Sequence, residues 1–177
     1  YQAEIAQGRM EALINYQTMV TDLTGMEISN ASLLDEGTAA SEAMTMFFRV
    51  RKGPKKKAFK FFVSNKIFPQ TIELLKTRSE PLGIELVINE LDKFNCDDDY
   101  FGALFQYPDN DGNIVDLSSY LEKARSKSIF TCVASDLMSL VLLKSPGEMG
   151  ADAVVGNSQR FGVPMGYGGP HAAFYAT

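Results

Sequence analysis

From residue 58 onward, short apolar runs alternate with segments that read as helix or turn, and this alternation restricts the chain to few architectures. Residues 58–63, 84–88, 103–106, 129–134, 153–155 and 172–175 each read as a strand. Residues 70–81 carry a helix between the first two runs, and Asp116 caps another through Leu117, Tyr120, Leu121 and Ala124. Dense turn chemistry fills Tyr107-Pro108-Asp109-Asn110-Asp111-Gly112. Strand–helix alternation predicts an α/β fold with a mostly parallel sheet covered by helices. In such sheets ligands sit beyond the carboxyl ends of the strands.

Two helices are expected before the alternation begins. From Glu4 to Thr24 the residues Leu13, Tyr16, Val20 and Leu23 fall at helical spacing, and Gly25 suits the position after the last turn. Residues 30–34 are apolar and read as a strand or a bend. Asp35-Glu36-Gly37-Thr38 then opens a helix whose face is Ala40, Ala43, Met44, Phe47 and Phe48, ended by Gly53-Pro54.

Composition bounds the class. With 177 residues the chain is one domain or little more, and 45% apolar with 22% charged residues is ordinary for a globular protein. A net charge of −5 gives no electrostatic reason to expect nucleic acid. Seven of the twelve residues from Arg49 to Lys60 are basic, and Asp97 to Asp99 are acidic; both runs read as solvated surface. No apolar stretch approaches the roughly 20 residues of a membrane span. Cys96 and Cys132 read as buried free thiols, which fits a reducing compartment, and one histidine with two scattered cysteines does not make a zinc site.

Three features can reach the carboxyl ends of the strands. Gly37-Thr38 opens a helix, where free N–H groups and the dipole favour an anion; Thr38 either donates to a phosphate or caps the helix. Asp136 follows an apolar strand; its carboxylate either holds a protonated ring nitrogen or caps the segment 137–143. The third feature is the segment NSQRFGVPMGYGGPH, which reads as an ordered irregular loop because its glycines permit positive φ and its prolines exclude helix. His171 reads as a structural histidine. Glu4, Gln7 and Arg9 form a polar first turn or, in the sharper reading, a contact to a partner subunit. No lysine follows Lys144.

The words YQAEIAQGRMEALINYQTMV, NASLLDEGTAASEA, LFQYPD and QRFGVPMGYGGPHAAF resemble the glycine decarboxylase family, the P-proteins of the glycine cleavage system. The resemblance implies a three-layer α/β/α sandwich, the type I fold of pyridoxal phosphate (PLP) enzymes. It implies an activity that decarboxylates glycine and passes the aminomethyl group to the lipoyl arm of the H-protein. Family members have two homologous halves. This chain is similar to the large-domain core of the amino-terminal half: a single domain over residues 1–177, expected to be a piece of a longer polypeptide at both ends. The carboxy-terminal half holds the cofactor's anchor lysine in a motif of the form HKTFCIPHGGGGPG. Laid against it, the present tail puts Gln159 at the lysine position. An amide is not nucleophilic enough to form a Schiff base, and the guanidinium of Arg160 stays protonated. Thr38 and Asp136 then correspond to phosphate and pyridine-nitrogen positions of a vestigial pocket. Phe68 stands where relatives carry a histidine near the cofactor ring.

The expected role is therefore scaffold and interface for a catalytic half, with Tyr1, Gln2 and Glu4 as candidates for the active-site entrance. Two alternatives stand beside it: an autonomous PLP enzyme using another lysine, and a binding module for the H-protein. The other lysines lack the glycine-rich setting of the family's anchor; those from Lys52 to Lys60 read as solvated. A bacterial, cytoplasmic source is expected, or the mitochondrial matrix if the source is eukaryotic.

Overall fold

The computed structural model describes Gln2 and residues 5–177. Helix α1 (Gln7–Thr24) ends where Gly25 takes φ +70° and its amide returns to the Thr21 carbonyl, a left-handed cap that a side chain would strain. Helix α2 (Glu36–Val50) is capped by Asp35, whose carboxylate accepts the Thr38 amide at 2.7 Å. It stops at Val50, and Gly53–Lys57 forms a separate 3-10 turn. Helix α3 (Pro69–Ser79) begins on a proline, which suits a first turn whose amides have no partner. Helices α4 (Ser118–Ser126) and α5 (Pro146–Met149) are shorter, and Asp116 accepts the Ser118 amide at 2.9 Å.

Six strands form one sheet: β1 (Lys60–Ser64), β2 (Glu85–Asn89), β3 (Tyr100–Tyr107), β4 (Phe130–Ser135), β5 (Ala153–Asn157) and β6 (Ala173–Ala176). Their order is β2-β1-β3-β4-β5-β6. All neighbours are parallel except β5 and β6, whose antiparallel register pairs Asn157 with Ala173 and Val154 with Ala176. The expected strand or bend at residues 30–34 lies along the open edge of β6. It makes isolated bridges, Ser29 with Ala176 and Leu33 with Ala173.

Alternation along the strands splits the core into two layers, as a period of two requires. Phe62, Phe105, Val133, Val154 and Phe174 face α1 and α4, joining Val20 and Leu121. Phe61, Leu104, Cys132, Val155 and Ala173 face α2 and α3, joining Met44, Phe47 and Leu75. The result is the expected three-layer α/β/α sandwich. Both thiols are free and buried, and burial pushes the Cys132 thiol far up.

One surface expectation is corrected. Lys55, read as part of a solvated run, is 3% exposed. Its ammonium donates to the Asp97 and Asp98 carbonyls at 3.3 and 3.2 Å, so the acidic run supplies a backbone receptor for it. Burying a lysine is tolerable here because its charge meets aligned carbonyl dipoles and the Asp98 carboxylate at 3.6 Å. The 97–99 segment leads into β3, so Lys55 lies at the amino end of the sheet. Among the described residues, no helix is long and apolar enough to cross a membrane.

Candidate functional site

Parallel strands deliver their next residues to one side, and here three of them converge at the carboxyl ends of β4 and β5. Asp136 follows β4 directly. Asn157 closes β5, Ser158 comes next, and Gln159 opens a 3-10 turn, Gln159–Phe161. The amino end of α2 reaches the same place: the Asn157 side-chain amide donates to the Glu36 carboxylate at 2.7 Å. Asn157 Oδ1 in turn accepts the Gln159 amide at 3.2 Å. Thr38, Asp136 and Gln159 are thus all half-buried residues at one end of the sheet, the end where ligands of open α/β sheets sit.

The dominant contact is one that sequence reasoning missed. Arg160 forks onto Asp136: its Nη2 donates to Oδ2 at 2.7 Å, and its Nε lies 3.2 Å from each carboxylate oxygen. The Met138 amide donates to Oδ1 at 3.0 Å. Burial pushes the Asp136 carboxyl up, but the Arg160 hydrogen bonds, the Met138 amide and the nearby guanidinium charge outweigh it and hold it below the ordinary aspartate range. The same bonds push Arg160 further up. Asp136 therefore caps the following turn and binds a cation at once; the signal that could have found Arg160 is the adjacency of β4 and β5, whose register pairs Ala134 with Val155.

The loop between β5 and β6 is tied at its base and open at its tip. The Ser158 amide and hydroxyl both donate to the Ala172 carbonyl, at 2.6 and 2.9 Å. Tyr16 of α1 donates to Ser158 Oγ at 3.3 Å and meets the Phe161 ring edge-on at 6.1 Å. At the tip, Gly166, Tyr167 and Gly168 all have positive φ, a run that flanking glycines make affordable. Met165 and Tyr167 are exposed there, and so is His171. Phe68 is half-buried at the start of α3. Of the entrance candidates, Tyr1 and Glu4 lie outside the described residues; Gln2 is exposed and its carbonyl accepts the Ile5 and Ala6 amides.

The donor set can be tested against pyridoxal phosphate. Position 159 offers an amide in place of an amine. The helix end that would meet a phosphate carries two carboxylates, Asp35 and Glu36, and the first already holds the Thr38 amide. Asp136, the carboxylate expected to meet a ring nitrogen, is paired with Arg160. These residues do not fit a covalently held cofactor.

Comparison with known proteins places this geometry. The family model described as glycine cleavage system P-protein matches residues 1–177. The chain belongs to the glycine cleavage system P-protein family. It is 58% identical over 179 residues to glycine dehydrogenase (decarboxylating) of Flavobacterium johnsoniae and 59% identical over 177 residues to that of Dechloromonas aromatica. All of this chain is covered, but only 19% and 18% of those relatives, so it spans about a fifth of their length. Among solved structures it is similar to glycine decarboxylase (P-protein) in inhibitor-bound form, with 33% identity and a TM-score of 0.87 over 100% of this chain and 40% of that one. An aspartate aminotransferase from Thermus thermophilus shares the fold at 17% identity and a TM-score of 0.68, covering 99% of this chain and 50% of that one. The fold is the type I fold of PLP-dependent enzymes.

Proposed function

We propose that this chain is the large-domain core of a non-catalytic half of a glycine-decarboxylating PLP enzyme. The whole enzyme would decarboxylate glycine and hand the aminomethyl group to the lipoylated H-protein. The observation that carries the reading is Gln159. It stands at the carboxyl end of β5, between the last parallel strand and the antiparallel β6, in a family whose anchor is a lysine in the matching glycine-rich segment. Attachment of the cofactor aldehyde requires an amine that can lose its proton, and a carboxamide nitrogen does not serve.

The catalytic role then falls to a homologous half carrying that lysine, and the present domain supplies rigid support and an interface. A sheet with helices on both faces is suited to that duty, since packed interiors transmit position without yielding. Tyr1, Gln2 and Glu4 are proposed to reach the entrance of the partner's site. Replacing Tyr1→Phe and Glu4→Ala in the full-length enzyme is expected to lower glycine turnover; unchanged turnover and assembly would remove that part of the proposal.

The main test is reductive labelling. The full-length protein is incubated with PLP, reduced with borohydride and peptide-mapped. Label is expected in the homologous half and at no lysine of residues 1–177. Stoichiometric label at one lysine within this stretch would show that the domain carries its own site.

A further inference from the structure

Loss of a lysine alone would leave a crevice that one substitution could reopen, but the Asp136 carboxylate here is already paired within the chain. A carboxylate offers about four acceptor positions. At Asp136 the Met138 amide takes one, and Arg160 brings two more N–H groups, its Nη2 at 2.7 Å from Oδ2 and its single Nε–H shared between the two oxygens at 3.2 Å. A second cation at the same carboxylate would have to displace the guanidinium and then sit within a few ångströms of it, where like charges disfavour each other. The Arg160 side chain is 54% exposed, but the backbone that carries it is tied. Its neighbours are fixed on both sides, Gln159 through Asn157 and Phe161 through Tyr16, while Ser158 is tied to Ala172.

The geometry points to Arg160 as a built-in occupant of the crevice: it stands where a cationic cofactor ring would meet Asp136, and it bolts the glycine-rich segment across the carboxyl ends of β4 and β5. The consequence is that an amine supplied at position 159 does not by itself admit PLP. This rests on the reading of Gln159 as the anchor position, and the two can be separated experimentally.

The test uses the full-length enzyme with Gln159→Lys, Arg160→Ala and the two combined. Each is incubated with PLP, reduced with borohydride and mapped for label on the peptide bearing residue 159; label in the homologous half reports that the assembly is intact. Charge-assisted hydrogen bonds are strong enough that removing the competitor should raise label at 159 about tenfold or more over Q159K. Equal label in Q159K and the double variant would overturn the occupant while leaving the anchor assignment standing. No label in either would also overturn it. Label at a native lysine of this domain in the unmodified enzyme would instead overturn the anchor assignment.

A second measurement does not depend on the cofactor or on the double variant folding. The Met165–Tyr167 tip is exposed, so limited proteolysis reads how firmly the segment is held. Arg160→Ala should speed cleavage within residues 161–169 about fivefold, with cleavage elsewhere unchanged. Unchanged cleavage of that segment would mean that Arg160 holds nothing down, and the proposal falls.

Discussion

The two ends of this sheet are held together by different physics. Beneath β1 and β3, Phe62 lies 4.6 Å from Phe94 between ring centroids, Phe94 lies 5.6 Å from Phe105 and 5.8 Å from Tyr100, and all four are buried. That corner is stable because large apolar rings fill volume, and no single contact is indispensable in kind. At the carboxyl ends of β4 and β5 the structure rests on few polar contacts of exact type: Arg160 on Asp136, Asn157 on Glu36, Ser158 on Ala172. Apolar packing is worth more energy but tolerates substitution within limits; the polar corner is worth less and specifies one arrangement.

Substitutions should separate the two regions. The largest effect is expected at Gly156, which links them: a Cβ there would strike the Ser135 carbonyl oxygen and the Phe174 ring. Because one obstacle is backbone, Gly156→Val should cost more than about 4 kcal/mol and abolish soluble full-length protein, read as expression yield. Phe105→Ala should come next, at about 3–5 kcal/mol, seen as lost hydrogen-exchange protection across β1 and β3 with the 158–161 turn least affected. Asp136→Asn keeps the shape and removes the charge. Since the pair is partly exposed, it should cost about 1 kcal/mol, confined to exchange in the 158–163 segment.

Acid probes the same bond from the other side. Asp136 is held below its ordinary value, so its contribution is complete above the ordinary aspartate range near 3.9 and fades as pH falls through the lower folded value. Pepsin cleavage between Phe161 and Tyr167, normalised to an unfolded substrate, should therefore rise below about pH 4, and Asp136→Asn should flatten that rise. The smallest effect is expected for Lys60→Ala, whose 3.2 Å partner Asp99 is exposed; exchange protection throughout should match that of the unmodified protein. A large loss there would blur the distinction between the two regions.

Most of the architecture was legible in the residues because buried strands and helix faces write their periods directly. Residues 103–106 predicted the centre of β3, which extends to Tyr100–Tyr107, and residues 129–134 and 153–155 predicted β4 and β5 within a residue or two. The short segment near residue 30 was ambiguous because it forms bridges without a regular ladder. Lys55 was misread for a different reason: charge runs are solvated by default, and only the tertiary fold shows that two carbonyls converge on its ammonium. At the candidate site, the positions of Asp136 and the tail were readable from strand ends. Gln159 carried meaning only through resemblance. The partner of Asp136 was missed, since the adjacency of β4 and β5 brings the two loops together but how they bend selects Arg160 among their residues.

The bridges between the segment near residue 30 and β6 have a temporal consequence. Asn30 accepts the Tyr175 amide across 145 positions of sequence. A ribosome adding about 5–20 residues per second leaves that early segment without its partner for on the order of ten seconds. Throughout that interval Leu33 has emerged, while the strand it bridges has not been made. The bridges of this segment to β6 therefore close late, and the wait is set by the number of residues between the two partners.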